Sequence, residues 1–451
     1  MSIFKDFNPE NTQDYDTYFI NKFFTKWIWL FRFKIKGNQD FLAILQLYKS
    51  FSVLAMKHNI FYAGKTDVRL FPIVFSNAGS GKGMTNNLNN QVFGYSEATD
   101  WGIKIKTIKN PTKEKLIGSW NDKKQEYNLK KDLKFGDERY LDPKIPGYFE
   151  EYDDVIFEEA LHIFESQKEI QTVMRCVADN YGEPTNYLSS ETLKNTTDEG
   201  YFAKSSWGTF SYHMMSAEKQ SLDLISNGLY QRALAVFIRL DEEQVITILN
   251  SKNNYTASDI KKFNRIIREL RSDVKTLFNK YQDVVMTTDD ETFTFLNKKI
   301  IEMREYLVYS LNDKEIEVVN SYIVRGKNNV IKLACMNALM RGATIIKDDG
   351  EKLVYFDKVD ITVGTEIVKL CLESVIAEIK PTINRAMTNQ YIGDVKKIMG
   401  KKSILKSKCI LLMTEYWGCN PTQASKRLRM IRFVFEYKKG DRNEKWCKLR
   451  Y

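Results

Sequence analysis

Apolar residues recur at helical spacing in two stretches before about residue 62, YFINKFFTKWIWLFRFK and DFLAILQLYKSFSVLAMKHN, which predict two helices, the second amphipathic. The aromatic stripe of the first falls at helical spacing and reads as core in preference to a partner-binding surface. From about Thr66 to Glu243, short apolar runs alternate with polar segments, the pattern of an α/β unit with a parallel sheet. A long lysine-rich loop, Thr107 to Phe149, interrupts it. From about Ala257 to Asn389 the 3.6-residue period returns in FNRIIRELRSDVKTLFNKYQ, VIKLACMNALM and VGTEIVKLCLESVIAEI, so this part reads as helical, a lid or bundle. The last stretch predicts a helix, a turn at Gly418, a second helix with Asn420 as N-cap and Pro421 as first residue, then two strands joined at KKGDRNEK. That order is a winged helix. The expected divisions are a helical N-terminal region (1–62), an α/β core (63–245), a helical lid (246–387) and a terminal module (388–451).

Composition narrows the classes. At 451 residues the chain exceeds one compact core, and 43% apolar with 13% aromatic residues supplies the material for two to four domains. No charge-free apolar run approaches the ~20 residues that span a bilayer, and the start, MSIFKDFNPENTQ, is polar and acidic, so the expectation is no membrane and a cytoplasmic protein. The six cysteines form no CxxC pair and the three histidines are far apart, which points to neither a zinc site nor a disulfide framework. The charge of +10 is uneven. Thr388 to Tyr451 holds 16 Lys and Arg against 5 Asp and Glu, leaving 52 against 53 before it, so the terminal module carries the whole excess.

The most specific chemistry lies in FPIVFSNAGSGKGMT, Phe71 to Thr85, where an apolar run empties into a glycine-rich turn with one lysine. A strand delivers such a turn, small residues let backbone N–H groups point at an anion, and the lysine reaches the outer phosphates beside a helix N-terminus. Against G-x-x-x-x-G-K-[ST], Gly81 and Lys82 match, Ser76 replaces the first glycine and Gly83 stands where the Mg2+-binding hydroxyl belongs. The expected ATP cradle is Asn77, Ala78, Gly79, Ser80, Gly81, Lys82, Gly83 and Met84, with Thr85 as the substitute metal hydroxyl.

A hydrolytic site also needs a strand ending in carboxylates. YDDVIFEEALHIFE supplies one, with Glu158 for the metal shell and Glu159 as the base that polarises water. A third run, WGTFSYHMMSAEK, is expected beside the first strand, with Ser216 sensing the γ-phosphate. In NGLYQRALAVFIRL, Arg232 precedes a strand, where an arginine reaches a neighbouring subunit's nucleotide as a finger or is a solvated surface residue.

The order of these segments resembles the AAA+ ATPases of the MCM type and the related replicative helicases of phages and plasmids, over roughly residues 65 to 385. The resemblance implies a P-loop AAA+ core with a helical lid, and it implies that Arg232 is the trans arginine finger. It also implies that VRGKNNVIKLACMNALM opens the lid, with Arg325 as sensor two and Lys327 as the fallback. Ser76, Gly83 and Glu158 in place of the customary Asp depart from the family pattern.

In the tail, Lys426, Arg427 and Arg429 fall on the second helix, which such modules place in the major groove, and Lys438, Lys439 and Arg442 on the wing. Lys194 and Lys204 are expected to touch DNA from a lumen-facing hairpin. The reading is an ATP-dependent DNA helicase or initiator-helicase of a mobile element, using ATP and Mg2+ as a homo-oligomeric ring, a hexamer or a similar closed assembly, on DNA, with a primase or loader as a further partner to look for. Its rivals are an ATP-switched DNA-binding assembly protein without helicase activity, and a nucleotide kinase suggested by G-S-G-K-G.

Overall fold

The computed structural model describes residues 22–35, 40–63, 66–76, 82–109, 111–134, 136–158, 168–179, 184–185, 201–202, 205–212, 228–238, 242–250, 255–309, 311, 313–399, 404–431, 435–439 and 445–449. The chain divides into a larger unit ending at Ile376 and a smaller one formed by Ala377–Tyr451.

Five strands, β1 (Pro72–Ser76), β2 (Ile105–Ile108), β3 (Asp154–Glu158), β4 (Ser206–Tyr212) and β5 (Leu234–Ile238), form an all-parallel sheet in the order β5-β1-β4-β3-β2. Ile73, Val74 and Phe75 are buried in succession, as are Val155, Ile156 and Phe157. Such unbroken runs suit a parallel sheet, which is covered on both faces.

Helix α1 (Lys22–Lys34) sinks Phe23, Phe24, Trp27, Ile28, Leu30 and Phe31 into the core, and Trp27 Nε1 donates to the Ala43 carbonyl at 2.7 Å. Helix α2 (Asp40–Lys57) departs from the amphipathic expectation, because every residue from Asp40 to Met56 is buried. It packs against α1, β1 and α3 (Lys82–Phe93). Several of its polar positions are matched inside the protein: Tyr48 donates to Asn337 at 3.0 Å, Ser50 to Asn89 at 2.6 Å, and the Ser52 hydroxyl accepts from the Leu70 N–H at 3.1 Å.

The most costly of these positions is Lys49, wholly buried, whose Nζ lies 2.7 Å from Asp154 Oδ1 and 2.8 Å from Oδ2 at the start of β3. Gly208 on β4 makes room for it, since a Cβ there would sit 2.8 Å from the ammonium nitrogen. Burial pushes the Lys49 pKa down and the Asp154 pKa up, in each case against the pull of the partner.

After α4 (Lys168–Asp179), the helical part comprises α5 (Ala257–Lys280), α6 (Asp290–Val308), α7 (Asp313–Met340) and α8 (Lys358–Met399). It is not helical throughout. Ile345–Asp348 and Glu351–Tyr355 form a hairpin within a mixed four-stranded sheet that also takes Val285–Thr287 and Phe61–Tyr62. Its two-residue loop, Asp349 and Gly350, has φ of 44° and 83°, the left-handed pair that a type I′ turn requires.

The smaller unit contains α9 (Lys406–Tyr416) and α10 (Pro421–Met430), with Phe435–Lys439 and Lys445–Leu449 antiparallel and Ile404–Leu405 added beside Lys445–Leu449. Asn420 caps α10 reciprocally with Gln423, and Pro421 opens the helix. Among the described residues, no helix is long and apolar enough to cross a membrane.

Candidate functional site

Because the sheet is all parallel, the C-terminal ends of its strands share one edge. Ser76 pairs with Ile238, Phe75 with Tyr212, and Glu158 with Ser211, so the ends of β5, β1, β4 and β3 lie level. Glu158 is thereby two strand spacings from β1, about 10 Å. Helix α3 begins at Lys82, six residues after β1 ends, so its N-terminal N–H groups open at this edge. Open α/β sheets bind ligands at this edge.

Met84 is about half exposed on the first turn of α3, whereas Thr85 is fully buried beside Asn86 and Asn89. Lys82 and Gly83 are the first two residues of that helix. The Glu158 side chain is 25% exposed, and Lys109 approaches it at 3.9 Å, a long contact worth little at the surface. Asn77, Ala78, Gly79, Ser80, Gly81, Glu159, Ser216, Lys194, Lys204 and Arg442 lie outside the described residues.

A second group of charges occupies the opposite edge. Arg232 ends the short helix Leu229–Arg232 just before β5, and Leu234 pairs with Pro72, the first residue of β1. Four residue steps, about 13 Å, separate that level from Ser76. Its Nε lies 2.8 Å from both oxygens of Asp179, the last residue of α4, and its Nη2 lies 2.7 Å from Oδ2. Its Nη1 donates to the Gly228 carbonyl at 2.9 Å. Glycine is required at 228, where φ is +79° and a Cβ would lie 2.8 Å from that same nitrogen.

Arg325 joins this group, Nη1 at 3.5 Å from Asp179 Oδ1. The resemblance implies that it opens a helix, but it sits well inside the 28-residue α7. Lys327, the fallback, turns elsewhere: its Nζ donates to Asn297 at 2.8 Å and lies 4.7 Å above the Phe293 ring. Two helical turns beyond Arg325, Lys332 donates to the Arg69 carbonyl at 2.9 Å and stands 3.6 Å from Asp67. Asp67, Asp179, Arg232, Arg325 and Lys332 line a cleft of about 330 Å3. Burial works to raise the Asp67 pKa, but Lys332 and Arg69 outweigh it and hold the carboxyl below its usual range; burial lowers Lys332. Arg69, fully buried, donates to Ser205 O at 2.7 Å and Val177 O at 2.9 Å, tying β1, β4 and α4 at this edge.

Sequence reasoning found Arg232 and Arg325 but missed Asp67, Asp179 and Lys332. A carboxylate at a helix C-terminus is disfavoured by the helix dipole, so Asp179 carries a signal, but one that is visible only once the end of α4 is known.

In the smaller unit, Lys426 and Arg429 are exposed on α10, in line with Thr422 and Gln423. Arg427 does not share that face. Its guanidinium lies 5.6 Å from the Tyr391 ring and 5.7 Å from the Trp417 ring, and Trp417 in turn donates to Asp394 at 2.8 Å. Arg427 therefore helps pack the module together, between Tyr391 and Trp417. Lys438 pairs with Trp446 and Lys439 with Lys445 in the terminal hairpin.

No family model matches this chain, and no curated protein is significantly similar to it.

Proposed function

We propose that the chain is a P-loop ATPase of the AAA+ type that acts on DNA as a head-to-tail ring, a helicase or initiator-helicase of a mobile element. The carrying observation is the level meeting, at one edge of an all-parallel sheet, of the strand that runs into the glycine-rich turn and the strand that ends in Glu158. In this reading the turn and the N-terminus of α3 bind the phosphates, Lys82 meets the outer phosphates, Glu158 holds Mg2+ and Glu159 orients water. Bound Mg2+ would neutralise developing phosphate charge.

The same sheet supports a trans role for Arg232. An arginine at the start of β5 is about 13 Å from the loop after β1 along the strand direction, beyond the reach of its own nucleotide. A heterologous contact between copies brings one chain's Arg232 edge against the next chain's loop edge and closes into a ring. Arg325, beside Arg232, belongs to the same trans contact rather than to its own chain's nucleotide. The exposed Lys426 and Arg429 on α10 and the basic tail supply the DNA contact.

A second reading, an ATP-switched assembly protein that does not hydrolyse, is favoured by Gly83 at the hydroxyl position and by the burial of Thr85. Mixing separates the two. Arg232→Ala chains should assemble and bind ATP without hydrolysing it, and mixing them with Lys82→Ala chains should restore partial turnover, because mixed contacts contain intact sites. If no mixture exceeds either variant alone, a trans finger is excluded.

A further inference from the structure

Two guanidinium groups share one carboxylate in this chain, and that carboxylate is in an unfavourable place. Asp179 closes α4, where the helix dipole disfavours an anion, yet it takes a near-bidentate pair from Arg232 and a longer contact from Arg325. The cleft around it is lined by three cations, Arg232, Arg325 and Lys332, against two carboxylates, Asp67 and Asp179. Asn328 and Asn329 add polar side chains between the two cations of α7, at i, i+3, i+4 and i+7 on one helix face. Asp67 is committed to Lys332 and Arg69 and is nearly buried, whereas a third of the Asp179 side chain is exposed.

A carboxylate and a terminal phosphate offer arginine the same pair of acceptor oxygens, and the phosphate carries the greater charge. We propose that this cleft is an anion site for the phosphate chain of a nucleotide carried by a second copy, and that Asp179 occupies the arginines as a stand-in until that phosphate displaces it. The proposal rests on the trans reading of Arg232. It adds a role for Asp179: the carboxylate keeps both arginines paired in a chain without a neighbour, so that they reach a phosphate only when a loaded copy docks. Gly228 belongs to the same device, because its carbonyl holds Nη1 of Arg232 while the other guanidinium nitrogens exchange one anion for another.

The test uses inorganic tripolyphosphate as the probe and the full-length Lys82→Ala chain, in which the loop after β1 is silenced. Calorimetric titration should show Asp179→Asn in that background binding tripolyphosphate at least about tenfold more tightly than the parent, and adding Arg232→Ala should abolish the gain. In the otherwise unchanged chain, Asp179→Asn should raise ATP turnover most at low protein concentration, where docking limits the rate. Asp179→Ser, smaller and uncharged, should act in the same direction, which guards against a folding artefact of one variant. The proposal is overturned if both variants lower the melting temperature and leave tripolyphosphate affinity unchanged, the behaviour of a purely structural pair. It is equally overturned if the gain in affinity survives Arg232→Ala. Failure of the ATPase reading looks different: the unchanged chain then hydrolyses no ATP, while the Arg232-dependent binding of tripolyphosphate persists.

Discussion

Lys82→Ala should lower ATP affinity by about 100-fold or more, whereas Glu159→Gln should leave affinity near that of the unchanged chain and cut turnover by roughly 10²- to 10⁴-fold. The two effects separate because the residues act on different charges. Lys82 opens α3 at the sheet edge where β1 ends, so its loss removes a cation from the position at which a phosphate chain would accumulate negative charge. Glu159 follows the last residue of β3, whose level matches the ends of β4 and β1, and its loss removes only the group that polarises the attacking water. Fluorescent-nucleotide titration and steady-state hydrolysis, run on both variants, give the two numbers. An equal fall in affinity for both would remove Glu159 from the role of base.

The largest expected change in stability lies at Lys49 and Asp154. Asp154→Ala should destabilise the chain by about 3–5 kcal/mol, because it strands an ammonium group that is wholly buried between α2 and the sheet. Replacing both, as Lys49→Met with Asp154→Leu, should recover most of that loss, since burial already disfavours the charged form of each partner in the folded protein. Urea denaturation of the three chains measures the difference. If the double variant is as unstable as Asp154→Ala, the pair contributes net stability and the expected balance between desolvation and attraction is reversed.

The runs that lie on β1, β3 and β5 stand out in the sequence because strands buried on both faces are written as short, nearly unbroken apolar stretches between polar segments. The cap of α10 is equally visible, since Asn420, Pro421 and Gln423 satisfy N-terminal N–H groups by purely local bonds. What depends on distant partners is not visible. Lys49, Ser50 and Ser52 look like a solvent face until β3, α3 and the segment before β1 close over them. Arg427 looks like its neighbours Lys426 and Arg429 until Tyr391 and Trp417 flank it. The hairpin at residues 345–355 was readable from Asp349-Gly350 between alternating runs, but the helical periods on either side masked it. Asp179 could not be paired with Arg232 and Arg325 from sequence, because 53 residues separate it from the first and the contact exists only across the sheet edge and α7.

The measurement that bears most directly on the proposed activity is ATP hydrolysis by the full-length chain with and without forked or duplex DNA, across a range of salt concentrations. Lys82→Ala sets the background. Turnover above that background should rise with DNA and fall back as salt rises. The Lys426→Ala, Arg429→Ala double variant should need more DNA for half-stimulation, with a log-affinity against log-salt slope flatter by about 0.9 for each phosphate of B-form DNA that is no longer neutralised. Turnover that is identical with and without DNA at every salt concentration, or no higher than the Lys82→Ala background, would contradict a DNA-coupled ATPase.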